Sequence, residues 1–233
     1  VGTFTKRSGI GTQNVTGIVD DTGVAFTPKA LVFWTVLQTA TGFSTADQRQ
    51  CFGFSDGTRH TSVSHASKSG SLDTAKGHRN DAALVIVNLS DTVTSQGIVS
   101  AVSSGGFTFN WTVASSDASI LVNFLAIGGS DVSAYVGDVA TNSGTGNQSV
   151  SGIGFEPDAV LFLAWAYDNA ATDASTGFGP NGVGWMTALA QGASCNDVAS
   201  NTVRAIYQRT SSCVAAKGQG GIAYEASAVS LDS

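Results

Sequence analysis

Apolar and polar positions along this chain fall into short runs that alternate with a period of two or are apolar throughout, and no helical period lasts longer than a turn. Val1 to Arg7 alternates well enough for an edge strand and leads into the Gly-rich turn SGIGT. Gln13 to Ile18 reads as a half-buried strand, and Pro28, lacking an amide donor, should start or flank the next one. Ala30 to Leu37 is continuously apolar, which predicts a central strand buried on both faces. A polar loop over Thr39 to Asp47 precedes a short strand, Arg49 to Phe54, which ends in the turn SDGT. Arg59 to Asn80 is polar and predicts an irregular loop. Ala82 to Leu89 reads as a buried strand and Gly97 to Val102 as a short one. Gly106 to Val113, GFTFNWTV, puts Phe107, Phe109 and Trp111 on one face of a half-buried strand. Ser119 to Ile127 closes the series before Gly128-Gly129. Evenly spaced short strands with turn residues between them predict an antiparallel β-sandwich of jelly-roll or related type.

The pattern then starts again. Gln13, Val15, Gly17 and Ile18 match Gln148, Val150, Gly152 and Ile153, each pair 135 positions apart. Phe26, Pro28, Ala30 and Phe33 match Phe155, Pro157, Ala159 and Phe162 at an interval of 129. A repeat of this kind organises a whole fold. It predicts an all-β chain of two tandem antiparallel β-sandwich (jelly-roll-like) repeats, residues 1–130 and 131–233. Val136 to Trp165 should repeat the opening strands, Gly177 to Leu189 the segment around Phe43 to Asp56, and Val203 to Gln208 and Gly221 to Val229 the later ones. The two strands that complete the first repeat have no counterpart in the second, so the second is expected to lack its last two strands. That would leave exposed core and an open sheet edge, a template for strand addition. The economical donor is the alternating segment Val1 to Arg7 of a neighbouring copy, a head-to-tail contact that builds a ring or filament. Alternatively the natural chain is longer and fills its own gap.

Composition sharpens this picture. Charged residues make up 12% of the 233, about half the usual ~25%, while 12 Phe and 4 Trp can fill cores. A net charge of −6 with scattered Lys and Arg argues against a nucleic-acid partner or an anionic-membrane surface. No apolar run is long enough for membrane insertion. Lacking an initiator Met and a signal-like apolar region, the chain is expected to be a processed or trimmed product. Cys195 and Cys213, 18 positions apart among polar residues, suit a loop-closing disulfide worth roughly 3 kcal/mol of loop entropy. Cys51 beside Phe52 suits a buried free thiol. Asn14, Asn88, Asn110 and Asn147 begin Asn-x-Ser/Thr triplets, which matter only in a glycosylating host.

Candidate chemistry is sparse. His60, His65 and His78 share the polar stretch with Asp56 and Asp73 and are weak candidates for a metal, but their spacing fits no compact ligand motif, so no metal or other cofactor is expected. No carboxylate pair, nucleophile elbow, phosphate loop or dinucleotide fingerprint stands out, and Asp81 more simply starts a strand. Trp34 and Trp165 read as core. Trp185 and Tyr167 lie near loops, where exposed rings could stack on sugars.

The pattern G-x-Q-x-V-x-G-[IV]…F-x-P-[KD]-A-[LV]-[VI]-x-F, then GFTFNW and a strand ending AIGG, resembles uncharacterised β-rich proteins encoded among phage and prophage structural genes. The resemblance covers most of the chain and rests on core and turn residues, so it transfers no catalytic residue. It implies a virion-associated or secreted structural role, at a virion surface or outside the cell. The expected function is therefore a non-enzymatic structural or surface protein, such as a decoration, tail-associated or filament subunit. Its partners would be other copies of itself or other structural proteins. The alternative is a carbohydrate-binding or adhesion module with glycans as ligands.

Overall fold

In the computed structural model, the chain is described except for residues 6–10, 17–25, 38–47, 68–73, 91, 115–119, 141–143, 166–173, 177–180, 199–203, 219–220, 228–229 and 232–233. The described residues hold antiparallel strands and no helix. They divide into two compact units, Val1–Asp138 with Ala171–Thr176, and Val139–Ala170 with Gly177–Ser233.

The first unit opens with β1 (Gly2–Thr5), β2 (Gly11–Thr16), β3 (Pro28–Thr35), β4 (Gln48–Ser55) and β5 (His60–Ser67). β6 (Thr74–Arg79), β7 (Leu84–Val87), β8 (Val93–Ser103), β9 (Gly106–Ala114) and β10 (Leu121–Gly128) follow. In the second region of the chain come β11 (Ala159–Trp165), β12 (Ala174–Thr176), β13 (Asn181–Thr187) and β14 (Gln191–Val198). β15 (Arg204–Arg209), β16 (Val214–Gly218) and β17 (Gly221–Ala226) complete it. The first unit stacks a seven-stranded sheet, β1-β10-β3-β4-β5-β6-β12, on a four-stranded one, β2-β9-β8-β7. Consecutive strands form meanders, and β10 returns to lie beside β3.

Alternation explains which side chains fill the space between these sheets. In β9, Phe107, Phe109 and Trp111 all point inward and are almost fully buried, as the period-two pattern predicts. Phe33 meets Phe107 and Phe109 edge-on, with ring centroids 5.6 Å apart in both cases. Phe107 meets Phe124 the same way at 5.2 Å. Leu31, Leu84, Ile86, Val99 and Val122 complete the cluster. β7 is buried at all four positions, which suits its continuous Leu-Val-Ile-Val run.

Two expectations are corrected here. β3 is not buried on both faces: Leu31, Phe33 and Thr35 face the core, while Val32 and Trp34 lie half-buried on the opposite face. Trp34 is therefore no core residue; the side chain of Trp165 lies outside the described residues. The polar stretch from Arg59 to Asn80 is no irregular loop either, since it forms β5 and β6 in the middle of the large sheet. Position in the sheet overrides weak strand propensity there. Small side chains make the position possible. Ser62, Ser64 and Ala66 share the inner face of β5, and Gly53 on β4 faces the backbone carbonyl of Ala83 at the entrance to β7. A Cβ on Gly53 would sit 2.9 Å from the Ala83 carbonyl carbon and closer still to its oxygen.

In the second unit, β11-β13-β14-β15 form one sheet and β16-β17 a hairpin. Phe162 pairs with Gly184 and Gly184 with Ala193, as Phe33 pairs with Gly53 and Gly53 with Ser62. A Cβ on Gly184 would meet the carbonyl of Cys213, as one on Gly53 would meet that of Ala83. The Cys213 amide donates to the Ala226 carbonyl at 2.9 Å, and the Ala83 amide to that of Gly97 at the same distance. The inner face is filled more lightly, by Ala193, Cys195 and Ala215 with Tyr207 beside them. Among the described residues of this unit, β11 has only β13 as a strand neighbour and β17 only β16, whereas β3 lies between β4 and β10 and β8 between β7 and β9. Residues 144–158 hold no strand, so the expected repeat of the opening strands is absent there.

Candidate functional site

A concavity with charged walls belongs to the first unit. It encloses about 410 Å³ between the β4–β5 turn, the end of β6 and the segment leading to Asp138, with Arg59, His60, Asn80, Asp81, Val136 and Asp138 in its walls. Asp-Gly builds the turn as the sequence predicts. The Asp56 carboxylate accepts the amides of Thr58 at 2.9 Å and Arg59 at 2.7 Å, the Arg59 guanidinium at 2.9 Å, and the amide of Val136 at 3.2 Å. Burial alone would raise the Asp56 pKa, but these donors together outweigh it and hold the carboxyl below its ordinary value. Arg59 also lies 4.2 Å from the centre of the Tyr135 ring, a cation–π contact that helps seat the segment.

His60 is held by Ser55. The Ser55 hydroxyl accepts the Gly57 amide at 3.0 Å and lies 2.9 Å from Nδ1 of His60, within hydrogen-bond distance. Burial lowers the His60 pKa, partly opposed by the charges of Asp56 and Asp81, so the ring is neutral at pH 7. On the far wall, the Asp138 carboxylate accepts Thr61 Oγ1 at 2.6 Å and lies 3.2 Å from His78 Nε2. Arg79 grips Asp81 with two bonds of 2.8 and 2.7 Å. Each carboxylate is thus committed to a neighbour, and Ser55, the hydroxyl nearest an imidazole, is fully buried. These ties fasten the segment after β10 over β5 and β6.

The three histidines do not converge. His60 and His65 are five positions apart on β5 and therefore face opposite sides of the sheet. His65 is buried between Gln50 and Lys76, its cross-strand partners, and His78 sits on β6. Among the described residues, no three His, Cys, Asp or Glu side chains gather as metal ligands. Nor are Cys195 and Cys213 bridged: both are buried thiols, which corrects the disulfide expected from their spacing. Spacing along the chain does not set side-chain direction. Cys195 packs with Ala193 and Ala215, while the Cys213 sulfur points at the Ala226 carbonyl, 3.4 Å away. Cys51 is buried as expected, and burial pushes its thiol up to about 12, a backbone bond from Val85 opposing only part of that.

The second unit offers a different kind of surface. Leu161 lies opposite Trp185, and Trp185 opposite Gly192, so with Val183 and Ile206 they share the outer face of the sheet. Trp185 is 42% exposed and Leu161 51%. The Trp185 indole lies beside Gly192, its Nε1 2.8 Å from where a Cβ would stand. Tyr167, the other aromatic expected to meet a ligand, lies outside the described residues. The donor expected for a neighbour is occupied at home, because Gly2–Thr5 within Val1 to Arg7 pairs with β10. Sequence reasoning had no signal for the tie between Thr61 and Asp138, which are 77 positions apart. The chain matches no protein-family model, no curated protein and no solved structure.

Proposed function

We propose that this chain is a non-enzymatic structural or surface subunit of a virion or extracellular assembly, a decoration, tail-associated or filament protein that joins its partners by strand addition. It is built, in this reading, of two tandem jelly-roll-like sandwich repeats, the second lacking counterparts of β9 and β10. The observation that carries the reading is the pair of open edges: among the described residues β11 and β17 have one strand neighbour each, where β3 and β8 have two. Open edges with apolar faces are costly in isolation and are the usual template for assembly. The commitment of Asp56, Asp81 and Asp138 to neighbouring side chains supports a structural reading of the cleft. Light scattering of the purified chain tests this. Particles heavier than 23.6 kDa are expected at micromolar concentration; a monomer that adds to no copy and no co-purifying subunit overturns it.

The exposed indole of Trp185, beside Gly192 on the outer face of its sheet, favours a second reading, a glycan-binding module in which a sugar ring stacks on the indole. A glycan array decides it, through reproducible binding that is lost in Trp185→Ala.

A further inference from the structure

We propose that residues 132–138 of the first unit are an acid-released strap. Two carboxylates, Asp56 beneath the strap and Asp138 on it, latch it over β5 and β6, and protonating them frees it while the sheets stay folded.

The strap is held by side chains rather than by a strand ladder. Residues 132–138 run as coil, and Val136, 8% exposed, is the one fully buried side chain among them. Asp56 reaches up from the β4–β5 turn and accepts the Val136 amide at 3.2 Å, on the same oxygen that takes the Arg59 guanidinium at 2.9 Å. Arg59, fixed in that way, lies under the Tyr135 ring. Asp138 reaches down, accepting Thr61 Oγ1 of β5 at 2.6 Å and lying 3.2 Å from His78 Nε2 of β6. Every one of these attachments runs through a carboxylate.

The core underneath has no such dependence. It is built of Leu31, Phe33, Phe109, Trp111 and their apolar neighbours, and among the described residues no Asp or Glu is buried in it. His65 is the buried imidazole of β5. Acid therefore acts first where carboxylates carry the contact, and a segment with one buried anchor opens at lower cost than a sheet.

The direction of the switch follows from the groups around the latches. These are Arg59 and His60 at the start of β5, His78 and Arg79 on β6, and Asp81 just beyond it. Burial lowers the His60 pKa from 6.5, so this ring gains its proton only below that value. A charged imidazole beside a carboxylate strengthens the attraction, so histidine protonation does not open the strap. Burial alone would raise the Asp56 pKa, but its amide and guanidinium donors hold it below 3.8. The latch is thus intact above pH 3.8 and is lost as pH falls through the folded value. Release takes Val136, Gly137 and Asp138 out of the wall of the concavity and opens it.

Hydrogen exchange of the full-length chain, read by NMR and corrected for the intrinsic rate at each pH, tests this. The Val136 amide donates to Asp56, so its exchange reads the latch directly. From pH 7 to about pH 2 its protection should fall at least about tenfold, while amides of β5 and β9 keep theirs within about twofold. Equal loss in strap and strands means that acid unfolds the whole unit, and unchanged protection at Val136 means that the carboxylates do not hold it; either result overturns the proposal. The double variant Asp56→Asn, Asp138→Asn carries neutral groups shaped like the protonated acids. It should show the lowered protection already at pH 7 and respond little to acid; a wild-type acid response in it also overturns the proposal. Asp138→Asn alone leaves the Asp56 turn intact, so it serves where the double variant does not fold. At pH 7 it should lower protection at Val136 by about threefold or more with β9 unchanged, and no change there counts against the strap.

Discussion

Replacing Gly53 by alanine tests the packing that holds the first unit together. The added Cβ would stand 2.9 Å from the Ala83 carbonyl carbon, where ordinary contact begins at 3.4 Å, and nearer still to the oxygen. Neither side can yield easily. β4 is held between β3 and β5, and Ala83 is pinned by its bond to Gly97 and wholly buried. Relief requires β7 to retreat by roughly 1 Å, a gap that forfeits between a quarter and a half of each van der Waals well on its lining. β7 contributes four buried side chains, Leu84, Val85, Ile86 and Val87, each worth about 2 kcal/mol. The loss is then about 2–4 kcal/mol, of the same order as measured overpacking costs and a large part of a total of about 5–15 kcal/mol. Denaturant unfolding followed by tryptophan fluorescence reads this, since Trp111 is fully buried in the same core. Gly144→Ala, with nothing within 4 Å of the new atom, is the control. Gly184→Ala should repeat the loss in the second unit, where the carbonyl carbon of Cys213 would be 2.8 Å away. Equal midpoints for Gly53→Ala and Gly144→Ala would refute the argument.

Other outcomes follow from the same structure. Ser64 Oγ is buried with no hydrogen-bond partner, so Ser64→Ala should raise the denaturation midpoint, by about 1 kcal/mol; a loss of stability would mean the hydroxyl is bonded. Thiol titration under denaturing, non-reducing conditions should find three thiols per chain, and Cys51 should resist thiol reagents in the native protein; a count of one would restore the bridge. Asp56 has a folded pKa below its ordinary 3.8, so its stabilisation is present above that pH and lost as pH falls through the folded value. Asp56→Asn should cost about 1.5–3 kcal/mol at pH 7 and less as pH falls below 3.8; a loss that does not shrink in acid would contradict this. His60, depressed below 6.5 and neutral when folded, should titrate below that value by NMR, its contribution to stability fading as pH drops from 6.5 toward the folded pKa.

Much was readable from local chemistry. The alternation of GFTFNW placed Phe107, Phe109 and Trp111 inward because a strand's side chains switch faces at every residue. The unbroken Leu-Val-Ile-Val run is a strand covered on both sides, as expected, Asp56-Gly57 turns, and Cys51 in its apolar strand is buried. The tertiary structure decided what local chemistry leaves open. β5 and β6 are polar, and they are strands because neighbours on both sides supply their hydrogen bonds. Trp34 lies outside the core because register, not hydrophobicity, assigns a residue to a face. The direction of a sulfur depends on the strand that carries it, so Cys195 and Cys213 stay thiols despite a favourable spacing. The near-identical stretches GTQNVT and GNQSVS divide the two kinds of information most sharply: one is a strand and the other is coil. A strand's stability comes from the chain beside it, and β9 lies beside only the first.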